Sequence, residues 1–140
     1  MHRQVGKWWK KRNLRTHFES GKTSSSTLRR TIGAILLDKL MLKPIPRSFT
    51  EGKNRMFIHY KFDMESEEKL TNWMRNNLSL SFYEYEGDEA GTLGEIEAYI
   101  IEKLKPILNL AHNGASPWDS EIRLLRRKCA DLAKEYYISD

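Results

Sequence analysis

Residues 93–104 read Leu-Gly-Glu-Ile-Glu-Ala-Tyr-Ile-Ile-Glu-Lys-Leu, and their apolar members recur at helical spacing. Leu93, Ile100, Ile101 and Leu104 form one stripe. A helix this short is stable only when the rest of the protein covers such a stripe, so the fold must supply a surface for it. Glu97 stands inside the stripe, four residues after Leu93 and three before Ile100, while Glu95 and Glu102 fall on the opposite face. Removing an unpaired carboxylate from water is costly. Glu97 therefore requires a cation, a network of donors or an opening to solvent, and it is the first candidate for a functional residue.

The rest of the chain bounds what that function can be. With 140 residues, 39% of them hydrophobic and 31% charged, it can close one modest core, and a single domain over residues 1–140 is expected. The longest apolar run is Ala34-Ile35-Leu36-Leu37, far short of the roughly 18 residues of a membrane span. The basic N-terminus lacks the apolar stretch of a signal peptide. Cys129 is the single cysteine, which excludes an internal disulfide and fits a reducing, cytoplasmic setting. With only four scattered histidines beside it, a zinc site is not expected. Cys129 and the Trp73-Met74 pair read as core.

A net charge of +5 conceals a division. Residues 1–61 hold 15 Lys/Arg against 3 Asp/Glu, whereas residues 62–140 hold 9 against 16. A half that basic favours a polyanion such as nucleic acid or anionic lipid, met by one face of the molecule. Lys10, Lys11, Arg15, Arg29 and Arg30 are the expected contacts for nucleic acid.

The elements follow from periodicity and end signals. Residues 8–19 read as helical. Gly21-Lys22-Thr23-Ser24-Ser25-Ser26 is a loop in which Ser25 or Ser26 caps a helix beginning near Thr27. That helix buries Leu28, Ile32, Ile35, Leu36 and Leu40 and is stopped by Pro44 and Pro46. Residues 55–62 alternate and predict a strand. Asp63 caps an amphipathic helix running through Leu70, Trp73, Met74 and Leu78, with Glu65, Glu67 and Glu68 near its positive end. Residues 79–86 predict a second strand. The Glu97 helix ends before Pro106, and Ser116-Pro117 opens a C-terminal amphipathic helix over residues 116–138, with Ile122, Leu125, Cys129, Leu132 and Tyr136 on one stripe. The class is α+β: a small antiparallel sheet flanked by several helices.

Three groups stand out chemically: Glu97; the segment Lys105-Pro106-Ile107-Leu108-Asn109; and the basic helix with Arg12 and His17, followed by Ser26-Thr27-Leu28-Arg29-Arg30. Pro106 fixes the exit of the chain, and Asn109 is placed to fold back toward the helix. This ordered series resembles the C-terminal part of the GIY-YIG endonuclease superfamily, where a helical Glu precedes a Pro-x-x-Asn segment at this spacing. One bacterial branch is similar further, through its Gly/Ser loop, Ser-Thr-Leu-Arg helix and final Leu-Arg-Arg helix. The resemblance runs over about residues 6–133.

The resemblance implies hydrolysis of DNA phosphodiester bonds with one divalent ion, Mg²⁺ or Mn²⁺, held by Glu97. It implies that Arg12 holds the phosphate, with Arg15 as the alternative, and that Asn109 and His17 support the site. Two departures accompany it. The first of the two family strands that supply tyrosines is missing, and Gln4 of Gln4-Val5-Gly6-Lys7 stands where the second tyrosine belongs. An amide cannot take a proton from water. Tyr60, Tyr83 and Tyr85 are candidates for a substitute. Three readings stay open: a metal-dependent DNA endonuclease, a non-catalytic nucleic-acid-binding module, and a fragment of a longer nuclease. An open sheet edge would also allow a strand-paired dimer.

Overall fold

The structure, a computed structural model, describes residues 14–19, 21–49, 54–79, 92–110, 113–114 and 116–139. Expectations that fall on Gln4, Trp8, Trp9, Lys10, Lys11, Arg12, Tyr83 and Tyr85 lie outside the described residues. A π-helical segment, Leu14–Glu19, and a short 3₁₀ turn, Thr23–Ser25, precede α1, Thr27–Ile35. Of the two candidate caps, Ser25 and Ser26, it is Ser26 that caps α1, its Oγ accepting from the N–H of Arg29 at 3.1 Å.

The first helix ends earlier than its apolar pattern predicts. After Ile35 the chain turns, and Met41 adopts a left-handed backbone with φ of 51°. The N–H of Leu42 donates to the carbonyl of Leu37, and that of Met41 to Asp38, which closes a Schellman arrangement. Leu37 and Leu42 are both buried there, whereas Ile35, expected inside, is 44% exposed. Pro44 and Pro46 come too late to stop the helix; Pro44 instead opens a strand.

That strand, β1 (Pro44–Ile45), pairs antiparallel with β2 (Lys61–Phe62), Pro44 opposite Phe62 and Ile45 opposite Lys61. The strand expected over residues 55–62 is shorter than predicted. Its first part is a single helical turn, α2 (Arg55–Ile58), whose start is closed by N–H groups of Phe57 and Ile58 donating to Asn54. Met56 and Tyr60 are four apart, so a turn of helix buries both as well as an extended chain would, and Ile58 turns outward at 57% exposure. Packing chose between the two conformations; Phe57 meets the ring of Tyr137 edge-on at 5.8 Å. The second expected strand, over residues 79–86, lies almost wholly outside the described residues.

The next helix, α3 (Met64–Asn77), is capped by Asp63, whose Oδ1 accepts from Ser66 N at 2.9 Å. Leu70 and Met74 are fully buried on its inner face. A capping box of Thr92 and Glu95 starts α4 (Leu93–Leu104). The 21-residue α5 (Asp119–Ser139) packs on α1, α2 and β1 and buries Ile122, Cys129 and Ala133. Tyr136, expected on its stripe, is 44% exposed; its neighbour Tyr137 stacks against Phe49 and Phe57 instead.

The core gathers Ile32, Leu36, Leu37, Tyr60, Phe62, Leu70, Met74 and Cys129. Gly33 lies against the Phe62 ring so closely that a Cβ would come within 2.7 Å of its Cζ. The two-stranded sheet and the helices around it make the fold α+β, as the sequence predicts.

Candidate functional site

The loop between the π-helical segment and α1 is organised by one arginine. Arg29 is fully buried, and its guanidinium donates to Glu67 Oε2 at 2.8 Å, to Thr71 Oγ1 at 2.9 Å and to the backbone carbonyls of Glu67 and His17. Glu67 also accepts from the N–H and hydroxyl of Thr23, at 2.9 and 2.7 Å, and from Phe62 N. A buried ion pair is tolerable when its remaining donors and acceptors are filled in this way. Arg29, expected to face nucleic acid, is thereby spent inside the protein, where it joins the loop, α1 and α3, while Glu67 ties in β2. Alternation and charge alone gave no sign of this pairing between the basic and acidic halves.

His17 is tied into the same loop. Its Nδ1 shares a 2.7 Å hydrogen bond with Ser26 Oγ, the cap of α1. The expectation that His17 supports the site receives this much structural content: it fixes the entry to the Ser-Thr-Leu-Arg helix. The side chain of Arg15 and all of Arg12 lie outside what the structure describes.

Glu97 projects from α4 into solvent. Of the stripe on which it was placed, Ile101 is 5% exposed but Ile100 is 47% and Leu104 74% exposed. Only a narrow edge of α4 is covered, and the carboxylate falls beyond that edge. Of the three circumstances that permit a Glu at this position, solvent is the one realised. Among the described residues Glu97 makes no ion pair, so its oxygens are not claimed by a guanidinium.

The chain after α4 turns at Lys105, in a left-handed conformation with φ of 44°, and then at Pro106. Asn109 is exposed, and its N–H donates to the Pro106 carbonyl at 3.3 Å. The residue that holds this segment is Asn113, which sequence reasoning missed. It is 4% exposed, and its side-chain amide donates to the carbonyls of Pro106 and Asn109 at 2.9 and 3.0 Å. Nothing in the spacing separated Asn113 from Asn109.

One expected chemical candidate is closed off, and Cys129 is core as the sequence predicts. Tyr60 is fully buried and donates its hydroxyl to the Arg30 carbonyl at 2.9 Å, and burial holds its pKa far above the ordinary phenol value. It cannot stand in for a tyrosine at a scissile phosphate. Cys129 lies beside it in the core, and burial pushes its thiol up to about 11.

The family model of the GIY-YIG catalytic domain matches residues 5–128, and the chain belongs to this nuclease-type family. No curated protein and no solved structure matches it.

GIY-YIG nucleases are generally metal-dependent. Among the described residues no cluster of three His, Cys, Asp or Glu could enclose an ion. A Mg²⁺-like ion does not need one, since it keeps most of its waters and binds through one or two carboxylates and substrate phosphate. The exposed carboxylate of Glu97, which has no ion-pair partner among the described residues, fits that donor set. None of the helices among the described residues is long and apolar enough to cross a membrane.

Proposed function

We propose that this chain acts on DNA as a phosphodiester-cleaving domain, with Glu97 as the residue that would hold one Mg²⁺ or Mn²⁺. The observation that carries the reading is the exposed Glu97 on α4, without an ion-pair partner among the described residues, in a chain of the GIY-YIG family. The ion, when bound, would supply Lewis-acid polarisation of the phosphate. Glu97 provides its anchor and keeps a fixed position because the capping box and the Ile101 contact hold α4. Arg12 is assigned to the phosphate, where a guanidinium fork matches two oxygens and offsets developing charge. Asn113 holds the segment of Asn109 behind α4, and His17 with Ser26 holds the start of α1. A cytoplasmic setting agrees with the buried thiol of Cys129.

A second reading, binding without cleavage, draws on Gln4, which offers no proton acceptor where the family tyrosine belongs. One assay separates the two. Supercoiled plasmid in Mg²⁺ or Mn²⁺ is expected to be nicked by the wild type and not by Glu97→Ala. Equal background in both proteins, with DNA binding retained, would leave binding without cleavage.

A further inference from the structure

Three arginines unused by this chemistry lie on elements that pack together. Arg47 follows β1, Arg55 opens α2 and Arg126 lies along α5, and α5 packs on α1, α2 and β1. The N–H of Arg47 donates to the Met56 carbonyl at 3.0 Å, which joins the end of β1 to α2. Arg47 and Arg55 are exposed and Arg126 is half-buried. Among the described residues none of the three has an ion-pair partner.

Beneath them lies Arg30, only 5% exposed. Its Nη1 and Nη2 donate at 3.0 Å to the Ser24 carbonyl and to Thr27 Oγ1, both neutral, and its buried Nε finds no acceptor. Beside this cluster runs an open cleft of about 430 Å³, with Ser24, Arg47 and Lys61 among its walls. His59, next to α2, is held below the ordinary imidazole value first by burial and then by Arg30, Arg55, Arg47 and Arg126. It therefore adds little charge of its own at neutral pH. Like charges gathered together repel. An anion relieves that repulsion, and the planar guanidinium fork matches phosphate oxygens.

We infer that Arg47, Arg55 and Arg126, with Lys61 in the adjoining cleft, form a second site for the phosphate backbone of duplex DNA. This rests on the nucleic-acid reading above, which favours a polynucleotide over a lipid surface. It moves the DNA contact away from Arg29 and extends it from the basic half of the sequence onto α5 in the acidic half.

The test is binding of a labelled duplex, without divalent metal, across a salt series. Each phosphate contact contributes nearly one to the slope of log affinity against log salt. Arg47→Ala/Arg55→Ala/Arg126→Ala should therefore lower that slope by about 3, and the exposed pair Arg47→Ala/Arg55→Ala by about 2. Far-UV circular dichroism reports whether each variant is folded. The pair of exposed substitutions keeps the test valid if loss of the half-buried Arg126 disturbs the fold. A control triple elsewhere, Lys69→Ala/Arg75→Ala/Lys134→Ala, should leave the slope unchanged. Unchanged slopes in the arginine variants, or an equal loss in the control, would overturn the site. So would wild-type binding to phosphatidylserine vesicles or inorganic phosphate but not to duplex. Absence of nicking with these slope changes intact would remove the Glu97 chemistry and leave this site standing.

Discussion

Two helical glutamates exchange the places their sequence neighbourhoods assign them. Glu67, in the acidic first turns of α3, reads as a solvated residue facing a helix dipole, yet its side chain is 13% exposed and clasped by Arg29. Glu97, inside an apolar stripe, reads as buried and is open to water. Periodicity shows which residues of a helix share a face. It does not show how much of that face another element covers. On α3 the inner face extends to Glu67 because Thr23, Arg29 and Phe62 each bring a donor to it. On α4 cover stops at Ile101. A buried carboxylate with a full set of partners is architecture, while an open and unpaired one is available to a ligand.

The comparison is broken most directly at the two carboxylates. Glu67→Ala would strand the Arg29 guanidinium in the interior and should cost about 3–5 kcal/mol in urea denaturation. Adding Arg29→Met should cost much less in that background than alone, since the two act as a unit. Glu97→Ala should leave the denaturation midpoint unchanged while removing metal-dependent nicking. A large destabilisation by Glu97→Ala would show that it too is structural.

A glycine on each side sharpens the contrast. Gly33→Ala places a Cβ against the Phe62 ring, next to the Glu67 acceptor of Phe62 N, and should destabilise by about 1–3 kcal/mol despite alanine's better helix propensity. At Gly94, one turn from Glu97, a Cβ meets nothing within 4 Å. Gly94→Ala should therefore stabilise by up to about 1 kcal/mol in thermal unfolding, with nicking retained.

The smallest effects are expected at the caps. Ser26 is fully buried and shares its Oγ with His17 and Arg29 N, so Ser26→Ala should cost toward about 2 kcal/mol. Thr92 is exposed, and Thr92→Ala should cost nearer about 0.5 kcal/mol. Chemical denaturation resolves the two; equal costs would mean that burial around Arg29 adds nothing to the cap.

Much of this was legible beforehand. A cap at Ser25 or Ser26, Asp63 as a cap, Leu70 and Met74 as core, Cys129 as core and the family itself all follow from short-range patterns. Tyr60 as a catalytic substitute did not survive. Its phenol and the Arg30 carbonyl are thirty residues apart, and no local pattern records that bond. Arg47, Arg55 and Arg126 belong to three different segments and carry no common spacing, so only their packing reveals them as one group. Asn113 was hidden for the opposite reason, four residues from a second asparagine, Asn109, where geometry alone selects the one that turns inward.

The sequence by itself determined the longer helices, the Asp63 cap, the uneven distribution of charge and the ordered Glu-Pro-Asn series, because each depends on residues within a few positions of one another. Tertiary structure alone decided which carboxylate was enclosed, which arginine was neutralised and which cations were left facing outward. Those outcomes depend on desolvation and on partners from distant segments, and the energy of a charge is fixed by what surrounds it rather than by its neighbours along the chain.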